Sequence, residues 1–129
     1  MEKIVIEATD RTPYTAFDPH ARHLLLRGES YPEDAAAFFG PLQQALREFL
    51  PQLGGDTFVV DLELSYFNSS SAKALMNMFM LLEQTAAAGR SIRIIWHFHP
   101  DDDTMAEFGE DFAEDFKHAG FALCPIQAE

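Results

Sequence analysis

One cysteine in 129 residues leaves no partner for an internal disulfide. Cys124 lies in the closing apolar stretch Phe121-Ala122-Leu123-Cys124, where it reads as a buried structural thiol rather than a nucleophile. Basic residues are scarce as well. Nine Lys and Arg against 21 Asp and Glu give a formal charge of -12, which repels phosphate backbones and anionic headgroups and so argues against nucleic acid and membrane surfaces. A partner with a basic groove fits that charge better. No apolar run is long enough to span a bilayer, and Lys3-Ile4-Val5-Ile6-Glu7 is too short and interrupted for a signal-peptide core. The expected location is the cytoplasm. The chain has no glycine-rich phosphate loop, no Gly-x-Ser-x-Gly elbow and no cysteine at a helix start, so it carries none of the common enzyme signatures, and no cofactor is expected. Repeats, linkers and low-complexity segments are missing too, so residues 1–129 read as a single domain, long enough to bury roughly two-thirds of its unfolded surface.

What is present alternates between short β-rich runs and longer helical ones. Strands are predicted at residues 4–6, 13–17 and 23–27, the last centred on Leu24-Leu25-Leu26. Residues 35–50 carry Phe38, Leu42, Ala45, Leu46 and Phe49 at helical spacing, with Ser30 a candidate cap. Gly40-Pro41 inside that run predicts a kink or a break into two short helices. Residues 57–64 and 91–98 read as central strands, apolar on both faces at the start of the first. The helix between them, residues 70–88 closed by Gly89, completes a βαβ unit whose right-handed crossover makes the two strands parallel. A further helix over residues 104–118 and a last strand at 121–126 follow, giving an α/β fold with a mixed sheet packed against helices.

Three constellations bear on function. The turn Ser65-Tyr66-Phe67-Asn68-Ser69-Ser70-Ser71-Ala72-Lys73 hands a strand over to the long helix. Asn68, Ser69 or Ser70 can cap that helix, and the same free N–H groups and helix dipole would also seat a phosphate. Along the helix, Ala72, Leu75, Met76, Phe79, Leu82 and Glu83 follow a sheet-facing rhythm, while Met78, Met80 and Leu81 extend the apolar surface beyond one face. Either helices on both sheet faces cover this methionine-rich flank, or it is a docking surface. The polar stripe is narrow: Lys73, Asn77 and Gln84. Finally, His97 and His99 share one side of a strand end near Asp101, Asp102 and Asp103, a ligand set conceivable for a metal-dependent enzyme. The simpler reading has Asp102, Asp103 and Thr104 starting the next helix, with Phe108, Phe112 and Phe116 on its buried side and no metal bound. Asp61, mid-strand, reads as an acceptor for nearby backbone rather than a base.

The segment Gly28-Glu29-Ser30-Tyr31-Pro32-Glu33, the serine turn, the strand piece Ile95-Trp96-His97 and the block from Asp102 to Phe112 occur in this order. Together they resemble the SiaC family of bacterial regulatory phosphoproteins, over about residues 12–126. The resemblance implies a STAS-like fold, as in anti-sigma-factor antagonists. It also implies a phosphorylated turn that usually reads Leu-Asn-Thr-Ser-Ser in the family, whose threonine is matched here by Ser69, with Ser70 and Ser71 as alternatives. The implied partners are a Ser/Thr protein kinase, a metal-dependent Ser/Thr phosphatase and a diguanylate cyclase, activated by the unphosphorylated form and promoting biofilm. The chain itself would then be no enzyme. The alternative on the same fold is an anti-sigma-factor antagonist in a transcriptional partner switch. A phosphate on Ser69 would have Asn68 and Lys73 as neighbours and would block docking at Lys73, Met76, Asn77 and Met80 without unfolding the domain.

Overall fold

The alternation resolves into six strands and three α-helices in a computed structural model, which describes residues 1–127. In chain order they are β1 (Ile4–Ile6), β2 (Tyr14–Asp18), β3 (His23–Ser30), α1 (Ala35–Phe49), β4 (Thr57–Phe67), α2 (Ser69–Ala87), β5 (Ser91–Phe98), α3 (Asp103–Ala113) and β6 (Gly120–Pro125). The strands lie side by side in sequence order. β1, β2 and β3 pair antiparallel, and β3 to β6 pair parallel.

That order dictates the layering. Each helix bridges two adjacent parallel strands, and right-handed crossovers that all advance the same way put every helix on the same face. Burial agrees: Leu24 and Leu26 of β3, Phe58, Val60, Leu62 and Leu64 of β4, and Ile92, Ile94 and Trp96 of β5 are buried on the helix side. The opposite face carries no helix among the described residues. The expectation of helices on both faces is therefore corrected, and with it the cover it offered to the methionine flank of α2.

Helix α1 is one continuous helix with Pro41 inside it, not two. Gly40 and Pro41 sit on the exposed side, where the Ala37 carbonyl freed by the missing proline N–H faces water. Its cap is Asp34, whose side chain accepts from Ala37 N–H at 3.0 Å. Ser30 is no cap; it ends β3 and is buried. Phe39, Leu42, Leu46 and Phe49 form the buried stripe, with Phe38 half-buried edge-on to Phe39. Helix α2 ends at Ala87, and Gly89, the predicted stop, takes φ +102° and donates to the Ala86 carbonyl while Arg90 N–H reaches the Thr85 carbonyl.

Two aromatic clusters fill the core. Phe17, Phe49 and Phe58 pack under α1, and Phe67, Phe79, Trp96, Phe112, Phe116 and Phe121 pack under α2 and α3. Trp96 Nε1 donates to the Met105 carbonyl at 2.9 Å, and α3 approaches so closely that a Cβ at Gly109 would stand 2.5 Å from the indole. Phe108 leans on Phe67 but stays 38% exposed. Helix α3 stops at Ala113, short of the predicted His118. Cys124 is exposed rather than buried, because β6 is an outer strand whose Phe121 and Leu123 turn inward and whose Ala122 and Cys124 turn to the helix-free face.

Candidate functional site

Asn68 builds the head of α2. Its backbone is extended, its side chain accepts from Ser71 N–H at 2.9 Å, and its carbonyl accepts from Ala72 N–H. Its own N–H donates to the Ser30 carbonyl at 3.1 Å. A bulge opposite Gly28, which adopts φ +119°, shifts the register so that Ser30 comes level with Phe67. The Ser30 and Ser71 hydroxyls then meet at 2.8 Å, 1% and 0% exposed.

The three consecutive serines are thus unlike. Ser71 is sealed, its N–H and hydroxyl both engaged. Ser69 and Ser70 face water at the first two helical positions, and no protein group among the described residues takes their N–H groups. Lys73, one turn on, is exposed and makes no ion pair among the described residues. An anion on either outer serine would find two free donors, a helix N-terminus and an ammonium.

At 100° per residue, Met76 and Met80 follow Ser69 by seven and eleven positions and lie within about 20° of one line with it. They are 50% and 59% exposed, whereas Met78 is buried with Leu75, Phe79 and Leu82 toward the sheet. Met76, placed on the sheet side by the sequence rhythm, is therefore a surface residue. Met76, Phe79, Met80, Phe112 and Phe116, with Glu83, Gln84 and Asp115, line an apolar groove of about 280 Å³ between α2 and α3.

Ser70 points about 100° away from that line. It heads a different groove, between α1 and α2, together with Glu33, Asp34, Ala35, Ala36, Lys73, Ala74 and Asn77. Asn77 belongs on that side, its carbonyl accepting from Gln43 Nε2 at 3.3 Å. Of the four candidate contact residues, Met76 and Met80 share the apolar groove, whereas Lys73 and Asn77 line the groove toward α1.

Two clusters escaped sequence reasoning. On the helix-free face, His23 Nε2 and His97 Nε2 each donate to a different oxygen of Asp61, at 2.6 and 2.7 Å. Burial raises the Asp61 pKa, the hydrogen bonds and charges of His97 and His23 lower it, and the balance leaves the carboxyl below its ordinary range. Asp61 thus accepts from side chains across three strands, not from backbone. The two imidazoles converge on Asp61 from the strands on either side of it. His99 and Asp101 are exposed and do not join His97, and no metal-binding group of three side chains is assembled among the described residues. The second cluster is Glu83, whose carboxylate accepts from backbone N–H groups after α3. An acid among the inward positions of α2 was the visible signal, but its partners lie more than thirty residues away.

The same fold recurs in known proteins. The crystal structure of apo-SiaC from Pseudomonas aeruginosa superposes with a TM-score of 0.88 at 35% identity, covering 96% of this chain and 99% of that one. A chain in the crystal structure of the diguanylate cyclase SiaD in complex with its activator SiaC, from the same organism, matches with a TM-score of 0.87 at 33% identity, covering 94% and 98%. An uncharacterized protein of Pseudomonas aeruginosa strain UCBPP-PA14 is 36% identical over 115 residues, 89% of this chain and 90% of that protein. Residues 6–126 match the family described as SiaC family regulatory phosphoprotein. With its serine-headed helix, its six-stranded sheet and these likenesses over nearly its full length, this chain belongs to the SiaC family of regulatory phosphoproteins.

Proposed function

We propose that this chain is a non-enzymatic switch: unphosphorylated, it docks on and activates a diguanylate cyclase through the α2–α3 groove, and phosphate on Ser69 prevents that docking. The observation that carries the reading is the single line joining exposed Ser69 to exposed Met76 and Met80. A phosphoserine there carries about -1.5 to -2 charges. It would be held by the Ser69 and Ser70 N–H groups and by Lys73, so the fold tolerates it. A partner seated on the methionines would have to strip water from that dianion, which opposes binding. Ser71 fits the role poorly, because a phosphate would have to break the buried hydroxyl pair with Ser30. Ser70 fits less well than Ser69, because its groove is headed by Glu33 and Asp34.

The cyclase as partner is supported by the complex of SiaC with SiaD. The groove is apolar, its rim carries Asp115, and Glu107, Glu110 and Asp111 of α3 with Glu114 just after it add further acids, so the matching surface is apolar and flanked by lysine or arginine. A dedicated kinase would add the phosphate from ATP and a metal-dependent phosphatase would remove it, and ATP as the donor favours the cytoplasm as the place of work. No helix among the described residues is long and apolar enough to cross a membrane.

The test is reconstitution with the host's SiaD-type cyclase, following cyclic di-GMP formation and the phosphorylation site by mass spectrometry. Activation by the unmodified chain, loss of activation after kinase treatment, and loss of that inhibition in Ser69→Ala are expected. Kinase labelling that persists unchanged in Ser69→Ala refutes the site, and a cyclase indifferent to the chain refutes the partner.

A further inference from the structure

The chain after α3 is turned by a carboxylate. Phe108, Phe112 and Phe116 have the spacing of a helix that runs on to His118, yet α3 ends at Ala113 and no glycine or proline stands in residues 114–119. Glu83, on α2, accepts instead from Lys117 N–H at 3.0 Å, from His118 N–H at 3.1 Å and from Ala119 N–H at 2.9 Å, and its second oxygen lies 3.0 Å from His118 Nδ1. Three successive N–H groups converging on one anion form a backbone nest, and here the anion is a side chain of the same protein. Only 20% of the Glu83 side chain is exposed. Partial burial raises its pKa, but the backbone donors and the imidazole lower it to about 2.

The nest fixes what precedes it. Phe116, immediately before Lys117, is held in the wall of the α2–α3 groove, 5.5 Å from Phe79 and 5.1 Å from Phe121. Asp115 stands at the same rim. Without the carboxylate, three N–H groups lose their acceptor and turn to water, and nothing else from α2 is hydrogen-bonded to residues 117–119 among the described residues. The segment would peel from α2 and take the Phe116 wall with it.

We propose that Glu83 is a positioning residue for partner docking: by folding residues 114–119 back onto α2 it sets the shape of the groove that receives the partner. The inference rests on the reading that the cyclase docks in this groove, and the experiment separates the two. Glu83→Ala, Glu83→Gln and Met80→Glu are titrated against the purified SiaD-type cyclase of the host by calorimetry, with kinase labelling of Ser69 measured in parallel. Ser69 lies fourteen residues from Glu83, about 21 Å along the helix, so labelling reports on the scaffold and not on the groove wall.

Glu83→Ala should weaken binding about tenfold. Glu83→Gln, which keeps one carbonyl acceptor, should lose less, and both should be labelled like wild type. In the NMR spectrum the amide protons of residues 117–119 should shift and exchange faster in Glu83→Ala. Wild-type affinity in Glu83→Ala alongside abolished binding in Met80→Glu overturns the inference and leaves the docking reading standing. Wild-type affinity in Met80→Glu overturns the docking reading itself. Kinase labelling that falls in step with affinity shows a general loss of structure and overturns the positioning role. Should the alanine variant fail to fold, the glutamine variant carries the same comparison, with unchanged affinity counting against the inference.

Discussion

The two grooves that flank α2 differ in everything but their shared helix. The one toward α3 is walled by thioethers and phenyl rings, with Ser69 on the same helical line as its methionines; the one toward α1 has Ala35, Ala36, Gly40 and Ala74 among its lining, amides along its sides and Ser70 at its head. Met80 stands on the ridge between them. The difference teaches that adjacent serines on a helix are not interchangeable: a step of 100° would send a charge on one toward an apolar wall and a charge on the next toward a pair of acids.

The strongest way to break the contrast is Gly109→Ala. A Cβ 2.5 Å from Trp96 must push α3 off the sheet, costing about 2 to 3 kcal/mol, readable as a lowered melting temperature together with loss of cyclase binding. The α1 side should keep its hydrogen-exchange protection. Next comes Met80→Glu against Ala74→Gln: the first should cut cyclase affinity by about two orders of magnitude, since a carboxylate would be buried against an apolar partner, and the second should leave it within about twofold. Should both weaken binding equally, the partner spans both grooves. The serines sharpen the comparison further. Ser69→Glu should weaken binding by a few-fold, less than true phosphorylation because the charge is smaller, and Ser70→Glu should weaken it less. Asn68→Ala removes the cap and should cost about 1 kcal/mol without touching either groove.

The smallest effect is in acid. The folded pKa values of Glu83 and Asp61 are both lowered, so each adds stability that is complete above the ordinary carboxylate range and fades as pH falls through the folded value, about 2 for Glu83. Chemical denaturation between pH 6 and pH 2 should therefore show a shallower decline in Glu83→Gln and in Asp61→Asn than in wild type. Equal slopes would mean that neither carboxylate is held as its hydrogen bonds suggest.

The element order was legible because each β4-like or α2-like run carried its own period and its own stop: Gly89 closed α2, and β5 kept its predicted bounds. The head of α2 was legible for the same local reason, the cap residue Asn68. What could not be read was set by distant contacts. Glu83 ends α3 from another helix, the Ser30–Ser71 pair depends on a bulge that shifts the pairing of β3 with β4 by one residue, and the exposure of Met76 and Met80 depends on every crossover landing on one side. Local propensity would have continued α3 to His118, and tertiary hydrogen bonding overrode it.

The one thiol is useful in a way unrelated to signalling. Cys124 sits on the bare side of the outermost strand, across the sheet from α2. A fluorophore or surface tether attached there needs no other cysteine removed, and it leaves both grooves flanking α2 unobstructed. The protein can thus be immobilised or labelled in a single orientation for the affinity measurements above.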